Sequence, residues 1–229
     1  MTGNPATGSE RPSGMWSTTP PPPRPGPPTR WSAQQHGPEA ARAYRQRFLD
    51  LAASGRDLHG EARFVTELAP PPSRVLDAGC GYGRVASELT RLGHYTVGVD
   101  ADPDLVALAE EDHRTRFVVA DLATLDLRTE QEFHVVVMAG NVVPFLADGT
   151  LPAVLERLTA HLAPGGHLVA GFSLAGSLPD GAAAVAPADY DRWARAAGLS
   201  FIGRFAGWDR TRFAPDSDYS LSVHRRIGG

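Results

Sequence analysis

The feature that most constrains this chain is the stretch VLDAGCGYGR at residues 75–84, followed by Asp100 at the end of VGVD. An apolar strand leads into an acidic residue, a glycine-rich turn and a helix, and a second strand ends in a carboxylate about twenty residues later. This layout is typical of a pocket for an adenosine-bearing cofactor at the carboxyl edge of a parallel sheet. The chain is therefore predicted to be an α/β protein.

The residues of the turn discriminate between cofactors. A nicotinamide dinucleotide site needs Gly-x-Gly-x-x-Gly, because its pyrophosphate lies against bare backbone at a helix N-terminus. Here the glycines are Gly79, Gly81 and Gly83, and Arg84 occupies the place of the third dinucleotide glycine. Asp77 stands just before the turn, where it would repel a diphosphate. S-adenosylmethionine has no phosphate and carries two cationic groups, so an acid suits it.

The segment Asp77-Ala-Gly79-Cys-Gly81-Tyr-Gly83 resembles the first motif of the class I S-adenosylmethionine-dependent methyltransferases. The resemblance covers roughly residues 57–225. It implies transfer of a methyl group from S-adenosylmethionine to an oxygen, nitrogen or carbon of an acceptor, with release of S-adenosylhomocysteine. Two alternatives stay open at this point: a nicotinamide-dependent oxidoreductase, and a non-catalytic protein that binds S-adenosylmethionine.

Strand and helix patterns alternate through the core of the chain, which predicts a doubly wound, mostly parallel seven-stranded sheet with an antiparallel strand near one edge. The last two strands lie only about ten residues apart, too close for a crossover helix, so they should pair antiparallel. This Rossmann-like arrangement is that of the resembling family. The predicted strands are 74–78, 95–100, 116–120, 133–138, 167–172, 200–207 and 218–225. Asp102 is predicted to cap the helix after the second strand, and Pro164-Gly165-Gly166 to turn the chain into the fifth. A helix at about 150–162 is predicted from its apolar residues Leu151, Val154, Leu155, Leu158 and Leu162.

The chain divides into a tail and one domain. Nine of the first thirty residues are proline, which predicts that 1–30 is disordered or polyproline II. The tail is interpreted either as a tolerated extension or as a ligand for an SH3-like partner. Residues 31–229 are predicted to form a single methyltransferase domain. Its N-terminal lid helices at 38–68, predicted as one helix at 38–53 and a second at roughly 57–68, precede the first strand, where the family often builds a lid over cofactor and substrate.

Eight positions are predicted to bind the cofactor: Asp77 before the turn, Arg63 at the cofactor carboxylate, and six residues around its sugar, base and methionine. Asp100 can accept hydrogen bonds from the ribose hydroxyls, and Gly79 and Gly81 leave room for the methionine portion. The resemblance implies that Asp121 accepts the adenine amine and that Leu122 and Ala101 contact the ring. Asp121 has a structural alternative, because aspartate often begins a turn.

No catalytic residue stands out. His59, just before the lid helix, is a candidate general base, and Asn141 lies where the transferred methyl usually sits in the family. Either residue also suits a surface, cap or turn position. Arg63 is a candidate for the cofactor carboxylate. Asn141-Val-Val-Pro144-Phe145 departs from the Asn-Pro-Pro-aromatic motif of base-amine methylation.

Composition excludes several function classes. The net charge of −4 and pI near 6.0 give no global attraction to nucleic acid or anionic lipid. A single cysteine, Cys80, suits a reducing cytoplasm. No apolar run has the length of a membrane span or signal peptide, and no cluster has metal-ligand spacing, so no metal is predicted.

The acceptor is expected to be a small molecule. Only about fifteen residues (173–187) separate the fifth strand from its helix, which leaves little room for a large substrate-binding insertion. The N-terminal helices and the final hairpin loop are expected to contact the acceptor. Tyr44 and Trp208-Asp209 are candidates for that pocket, with a core role as the alternative.

Overall fold

The fold is built on one seven-stranded sheet. The computed structural model describes residues 27–34, 37–112, 114–127 and 132–228. The strand order is β3-β2-β1-β4-β5-β7-β6, parallel except for β7, which runs antiparallel to both neighbours. The predicted fold class is thereby confirmed. The strands are β1 (Arg74–Ala78), β2 (Tyr95–Asp100), β3 (Arg116–Val119), β4 (Phe133–Met138), β5 (Leu162–Ser173), β6 (Leu199–Phe205) and β7 (Tyr219–Arg226).

Seven α-helices accompany the strands within the described ranges. The central strands read as continuous apolar runs because helices cover both faces of the sheet. None of these helices combines the length and apolarity that a bilayer crossing requires. The helices are α1 (Pro38–Ala53), α2 (Gly60–Leu68), α3 (Arg84–Arg91), α4 (Pro103–Asp112), α5 (Val142–Phe145), α6 (Leu151–His161) and α7 (Pro187–Ala196).

Local signals explain where the helices begin. Asp102 accepts the backbone N–H groups of Asp104 and Leu105 at 2.9 and 3.3 Å, so it caps α4 as its sequence position predicts. Helix α6 buries Val154, Leu155 and Leu158 against the sheet, which is the predicted apolar stripe.

Three elements differ from the sequence prediction. Helix α2 begins at Gly60 rather than at residue 57. Strand β5 begins at Leu162, five residues before the predicted 167, and contains the predicted Pro-Gly-Gly turn. The left-handed φ of +77° at Gly165 and a register shift on β4 bend this strand without ending it. The short helix α5 has no prediction, because four residues carry too little periodicity.

The topology places the carboxyl ends of β1 to β4 at one edge of the sheet. Strand order reverses between β1 and β4, and ligands of open α/β sheets bind at such a switch point. The predicted tail boundary falls near the first described residues; residues 1–26 lie outside the described ranges, and with them Pro20 to Pro23.

Candidate functional site

The glycine-rich turn links β1 to α3 and is tied to the neighbouring strand. The backbone N–H groups of Gly79 and Cys80 both donate to the carbonyl of Val99, at 2.7 and 3.0 Å. Gly79, Gly81 and Gly83 have φ of +83°, +55° and +85°, a region that side chains disfavour. The turn is thereby held against the end of β2.

The three glycines differ in which neighbouring side chain a Cβ atom would contact. A Cβ at Gly79 would lie 2.4 Å from Val142 Cγ2, and one at Gly83 would lie 2.6 Å from the Phe117 ring. A Cβ at Gly81 would meet only Tyr44, at an ordinary 3.7 Å. Gly79 was predicted to spare the cofactor, yet the structure shows that close packing against α5 already demands it. Only Gly81 leaves open space in front of the turn.

Asp100 ends β2 with both carboxylate oxygens oriented by the backbone. Oδ2 accepts from the N–H of Gly81 at 2.7 Å, and Oδ1 accepts from the N–H of Asp102 at 2.9 Å. Burial raises the pKa of this carboxyl to about 6, against the lowering effect of those two hydrogen bonds. The carboxylate is mostly ionised at neutral pH, and each oxygen keeps a further lone pair for a ligand.

Asp77 lies behind the turn rather than on its surface. The side chain is 1% exposed, and its Oδ2 has no hydrogen-bond partner in the described structure. Burial raises its pKa to about 7, while the Arg84 guanidinium and the backbone N–H of Ala86 favour the charged form. A buried carboxylate oxygen without a partner lowers the stability of the fold. Asp77 Oδ2 is thus a hydrogen-bond acceptor beside the turn that no described group satisfies.

Asp121 follows β3 and caps a 3-10 turn, Leu122–Thr124. Its Oδ1 accepts from the N–H of Ala123 at 2.7 Å. The structural alternative that the sequence left open for Asp121 is therefore real. The same residue also lines the cavity described next, so a role toward a ligand stays a prediction.

A cavity of about 660 Å³ opens at this edge of the sheet. It contains seven of the ten predicted site residues and excludes Asp77, Arg63 and His59. Two carboxylates line it, and none of its described lining residues is an arginine or a histidine. The lining residues are Thr29, Trp31, Tyr44, Gly79, Gly81, Asp100, Ala101, Leu105, Asp121, Leu122, Gly140, Asn141, Val142, Phe145 and Leu146.

Residues 29–34, called here the N-terminal segment, cover one side of the cavity. The N–H of Arg30 donates to the carbonyl of Phe145 at 3.0 Å. Trp31 Nε1 donates to Asp102 Oδ2 at 2.9 Å. The Trp31 ring packs edge-on against Tyr44 and Phe145, with centroids 5.1 and 5.7 Å apart. Sequence reasoning missed Thr29 and Trp31, because only long-range contacts bring this segment to the sheet.

Comparison with known proteins identifies the family. Residues 75–166 match the model of the family described as a methyltransferase domain. The fold superposes on a TehB-like SAM-dependent methyltransferase from Corynebacterium glutamicum with a TM-score of 0.76 and 34% identity, covering 84% of this chain and all of that one. The chain belongs to the class I S-adenosylmethionine-dependent methyltransferases. The predicted family is confirmed, with S-adenosylmethionine as its methyl donor.

Other similar proteins are matched over different shares of their length. A ribosomal protein L11 methyltransferase from Chromohalobacter salexigens is 36% identical over 139 residues, which are 55% of this chain and 44% of that protein. The chain thus spans less than half the length of that curated relative. The CcbJ methyltransferase from Streptomyces caelestis is 25% identical with a TM-score of 0.66, over 74% of this chain and 89% of that one.

Arg63 and His59 lie away from the cavity. Arg63 forms an exposed two-pronged ion pair with Asp57, so its guanidinium is engaged at the surface. His59 precedes α2, and its Nδ1 lies 3.8 Å from Glu88 Oε2. Neither residue lines the cavity. The structure therefore does not bring either residue to the cavity, and their predicted roles stay predictions.

The basic residue next to the turn is Arg84, and it faces α2. Its guanidinium forms a part-buried two-pronged ion pair with Glu61 at 2.5 and 3.1 Å, and it also donates to the carbonyl of Leu58. Arg84 therefore fastens α2 to the first turn of α3. Dinucleotide-binding folds have a glycine at this position, whereas here Arg84 forms a structural ion pair with Glu61.

Asn141 sits in the cavity wall between β4 and α5. Its φ of +69° is left-handed, a conformation that asparagine tolerates better than most residues. Its side-chain oxygen accepts from the N–H of Ser173, the last residue of β5, at 2.7 Å. The turn role predicted as an alternative is present, and Asn141 also lines the cavity.

The final hairpin does not reach the cavity. Trp208 donates from Nε1 to the Tyr219 hydroxyl at 3.1 Å and packs edge-on against Phe64 of α2. The hairpin contributes no residue to the cavity lining. The expectation that this loop contacts the acceptor is therefore wrong for this cavity, and Trp208 has the alternative core role. Tyr44 does line the cavity.

Proposed function

We propose that this protein transfers the methyl group of S-adenosylmethionine to a small-molecule acceptor. The observation that carries the proposal is the cavity at the carboxyl ends of β1 to β4, which joins the predicted cofactor residues to an apolar wall. Its lining is mainly apolar with two carboxylates among it, as is usual for small-molecule and cofactor sites.

The donor suits the residues present at one end of the cavity. This donor end consists of Gly79, Gly81, Asp100, Asp121 and Leu122, with Ala101 beside them. Two carboxylates without a basic side chain favour a cation and disfavour a diphosphate. The unmatched oxygen of Asp77 adds a further acceptor behind the turn. When bound, S-adenosylmethionine supplies a methyl group already activated on a sulfonium sulfur.

The protein then contributes binding, orientation and exclusion of water. Asp100 offers preoriented oxygens for the ribose hydroxyls, and Asp121 keeps one carboxylate oxygen for the adenine amine. The N-terminal segment and α5 screen the opposite end from solvent. Proximity of this kind can lower a barrier by about 7–11 kcal/mol at best without a dedicated catalytic side chain.

The acceptor end of the cavity supports a small acceptor. It consists of Thr29, Trp31, Asn141, Phe145 and Leu146. The loop after β5 folds back onto this end, where the N–H of Ala183 donates to the carbonyl of Pro144 at 2.9 Å. The described acceptor end is built from short segments and carries no large substrate-binding insertion, which favours a small acceptor. The relatives named for ribosomal protein L11 make a protein acceptor the competing candidate.

Thermal unfolding with S-adenosylmethionine, S-adenosylhomocysteine and NAD tests the donor first. A ligand at about a hundred times its Kd should stabilise the protein by roughly 2.7 kcal/mol, a Tm rise on the order of 5–11 °C. The two adenosyl ligands should produce this rise and NAD should not. A rise with NAD alone would contradict the proposal.

A turnover experiment then separates the acceptor classes. Formation of S-adenosylhomocysteine is measured with the low-molecular-mass fraction of a bacterial lysate and, separately, with its ribosomal protein fraction. The proposal expects turnover with the first fraction. Turnover with ribosomal protein alone would favour a protein acceptor, and donor binding without turnover in either fraction would favour a non-catalytic binding protein.

A further inference from the structure

The orientation of Asn141 restricts the chemistry of the acceptor. The backbone N–H of Ser173 can only donate, so the Asn141 atom 2.7 Å from it must be the amide oxygen. The amide NH2 is then the group that this side chain offers to the cavity. Thr29 repeats the pattern, because its hydroxyl oxygen accepts from the N–H of Ser32 at 3.0 Å and keeps its proton for a ligand.

A hydrogen-bond donor at this position suits an acceptor molecule with an oxygen nucleophile better than one with an amine. An amine has one lone pair, which must attack the methyl group. A hydrogen bond donated to that lone pair would therefore block the reaction. The N–H groups of the amine would need acceptors, and the Asn141 oxygen already accepts from Ser173 and has only one lone pair left. An oxygen nucleophile can accept a hydrogen bond with one lone pair and attack with another.

The acceptor end also lacks a base within the described lining. The titratable groups of the cavity are Asp100, Asp121 and Tyr44. Asp100 ends β2 and Asp121 follows β3, two and three strand spacings from β4, or about 10 and 14 Å from the end that holds Asn141. Burial raises the pKa of Tyr44, so its hydroxyl is neutral and a poor base at neutral pH.

We infer, on the basis of the proposed function, that the acceptor is an organic acid whose nucleophilic oxygen, a carboxylate or an acidic phenolate, arrives already ionised. Asn141 and Thr29 donate to that oxygen, and Phe145, Leu146 and Trp31 pack against its apolar body. The oxygen lone pair forms the O–CH3 bond while the C–S bond breaks and its electron pair stays on sulfur. The acceptor proton has gone to water before binding, so a neutral ester or ether results.

The charges favour this step in a dry cavity. An anionic oxygen and a cationic sulfonium neutralise each other as the bond forms, and exclusion of water strengthens their attraction. The cationic donor also offsets the repulsion that Asp100 would exert on an anion. The donor therefore has to bind before the acid, which predicts an ordered addition.

Matched acceptors test the inference. Purified protein is incubated with S-adenosylmethionine and either benzoate, phenylacetate or 4-nitrophenol, or the amines aniline and benzylamine, and S-adenosylhomocysteine is measured. We expect turnover with oxygen acids and none with amines; benzoate and phenylacetate report carboxylates, and the phenol reports phenolates. For a phenol, the rate should rise with pH around the acceptor's own pKa and shift with it in a less acidic phenol.

Two substitutions test the NH2 group of Asn141: Asn141→Asp replaces this hydrogen-bond donor by an acceptor, and Asn141→Ala removes it. Asn141→Asp keeps an oxygen for Ser173 but places a second, charged oxygen in the cavity, so kcat/KM for oxygen acids should fall about 100-fold or more. Asn141→Ala should lose about 10–100-fold. A binding readout accompanies activity: the oxygen acid should raise the Tm of the protein bound to S-adenosylhomocysteine, and Asn141→Asp should abolish only that second rise.

The outcomes separate this inference from the proposed function. Failure of both adenosyl ligands to bind overturns both. If the adenosyl ligands bind, two results overturn the inference alone. One is turnover of amines, and the other is neither binding nor turnover of any oxygen acid. Full activity of Asn141→Asp with oxygen acids would do the same.

Discussion

The donor and acceptor ends of one cavity are built in opposite ways. At the donor end, Asp100 and Asp121 are held by backbone N–H groups of their own or adjacent turns. At the acceptor end, Arg30 reaches Phe145 and Asp148 across more than a hundred residues, and Trp31 reaches Asp102. Local backbone geometry thus fixes the donor end, whereas tertiary packing fixes the acceptor end.

Gly79→Ala should produce the largest effect, because Gly79 is where the two ends touch. Its new Cβ would lie 2.4 Å from Val142 and hold a left-handed φ. Overpacking of about 1–3 kcal/mol and a left-handed penalty of about 1–2 kcal/mol predict a loss of about 2–5 kcal/mol in unfolding free energy. Denaturant unfolding measures it.

The double variant Gly79→Ala with Val142→Ala is the control, since it removes the clash and should regain part of the loss. Gly81→Ala is the matched comparison: its Cβ has room, so it should weaken donor binding more than folding. Equal destabilisation by Gly79→Ala and Gly81→Ala would show that packing against Val142 is not the cause.

Asp100→Ala isolates the donor end. Loss of hydrogen bonds to an ionised carboxylate, about 1.5–3 kcal/mol each, predicts at least a 100-fold weaker Kd for S-adenosylmethionine, or about 2.7 kcal/mol. Calorimetric titration gives the Kd. Asp104→Ala, at the start of α4 and outside the cavity lining, should leave it unchanged. A retained Kd in Asp100→Ala would remove Asp100 from the donor site.

Asp77→Asn should stabilise the ligand-free protein in a pH-dependent way. The pKa of Asp77 is about 7 in the fold, above its value in the unfolded chain. Its stability contribution is therefore full below about pH 4 and is lost as pH rises through 7. Between pH 5 and pH 8 the advantage of the variant should grow by about 2 kcal/mol, measured by denaturant unfolding at each pH. A constant advantage would mean that Asp77 is not neutral at low pH.

Arg63→Ala should produce the smallest effect. The Arg63–Asp57 pair is exposed and lies outside the cavity lining, so donor Kd should stay within about twofold and stability should barely change. Arg84→Ala is the contrast, because it breaks the part-buried pair with Glu61 that fastens α2. A large loss of donor binding in Arg63→Ala would place its guanidinium at the donor after all.

The sequence predicted the fold closely because its signals are local. Alternating apolar runs locate the strands and helices of the sheet, and the short final connection correctly predicts the antiparallel β7. The bend in β5 escaped prediction, since Pro-Gly-Gly is typical of a turn, and only the pairing of Leu162 with Phe133 of β4 shows that the strand begins before it.

In the candidate site too, the residues that local signals place were predicted and those that long-range contacts place were not. Gly81, Asp100 and Asp121 could be chosen from the chain because strand ends and tight turns place them whatever else packs nearby. The chain could not show that Arg63 and His59 lie outside the cavity lining, because adjacency to a lid helix does not say which way a long side chain turns, and Asp57 and Glu88 decided that.

By itself, the sequence determined the family and the sheet and pointed to the turn and strand-end residues of the donor end, since these signals lie in short stretches of chain. Only the tertiary structure decided that Trp31 and Phe145 close the acceptor end, that Val142 demands Gly79, and that Ser173 turns the amide of Asn141. Those contacts join distant segments, and no local pattern records them.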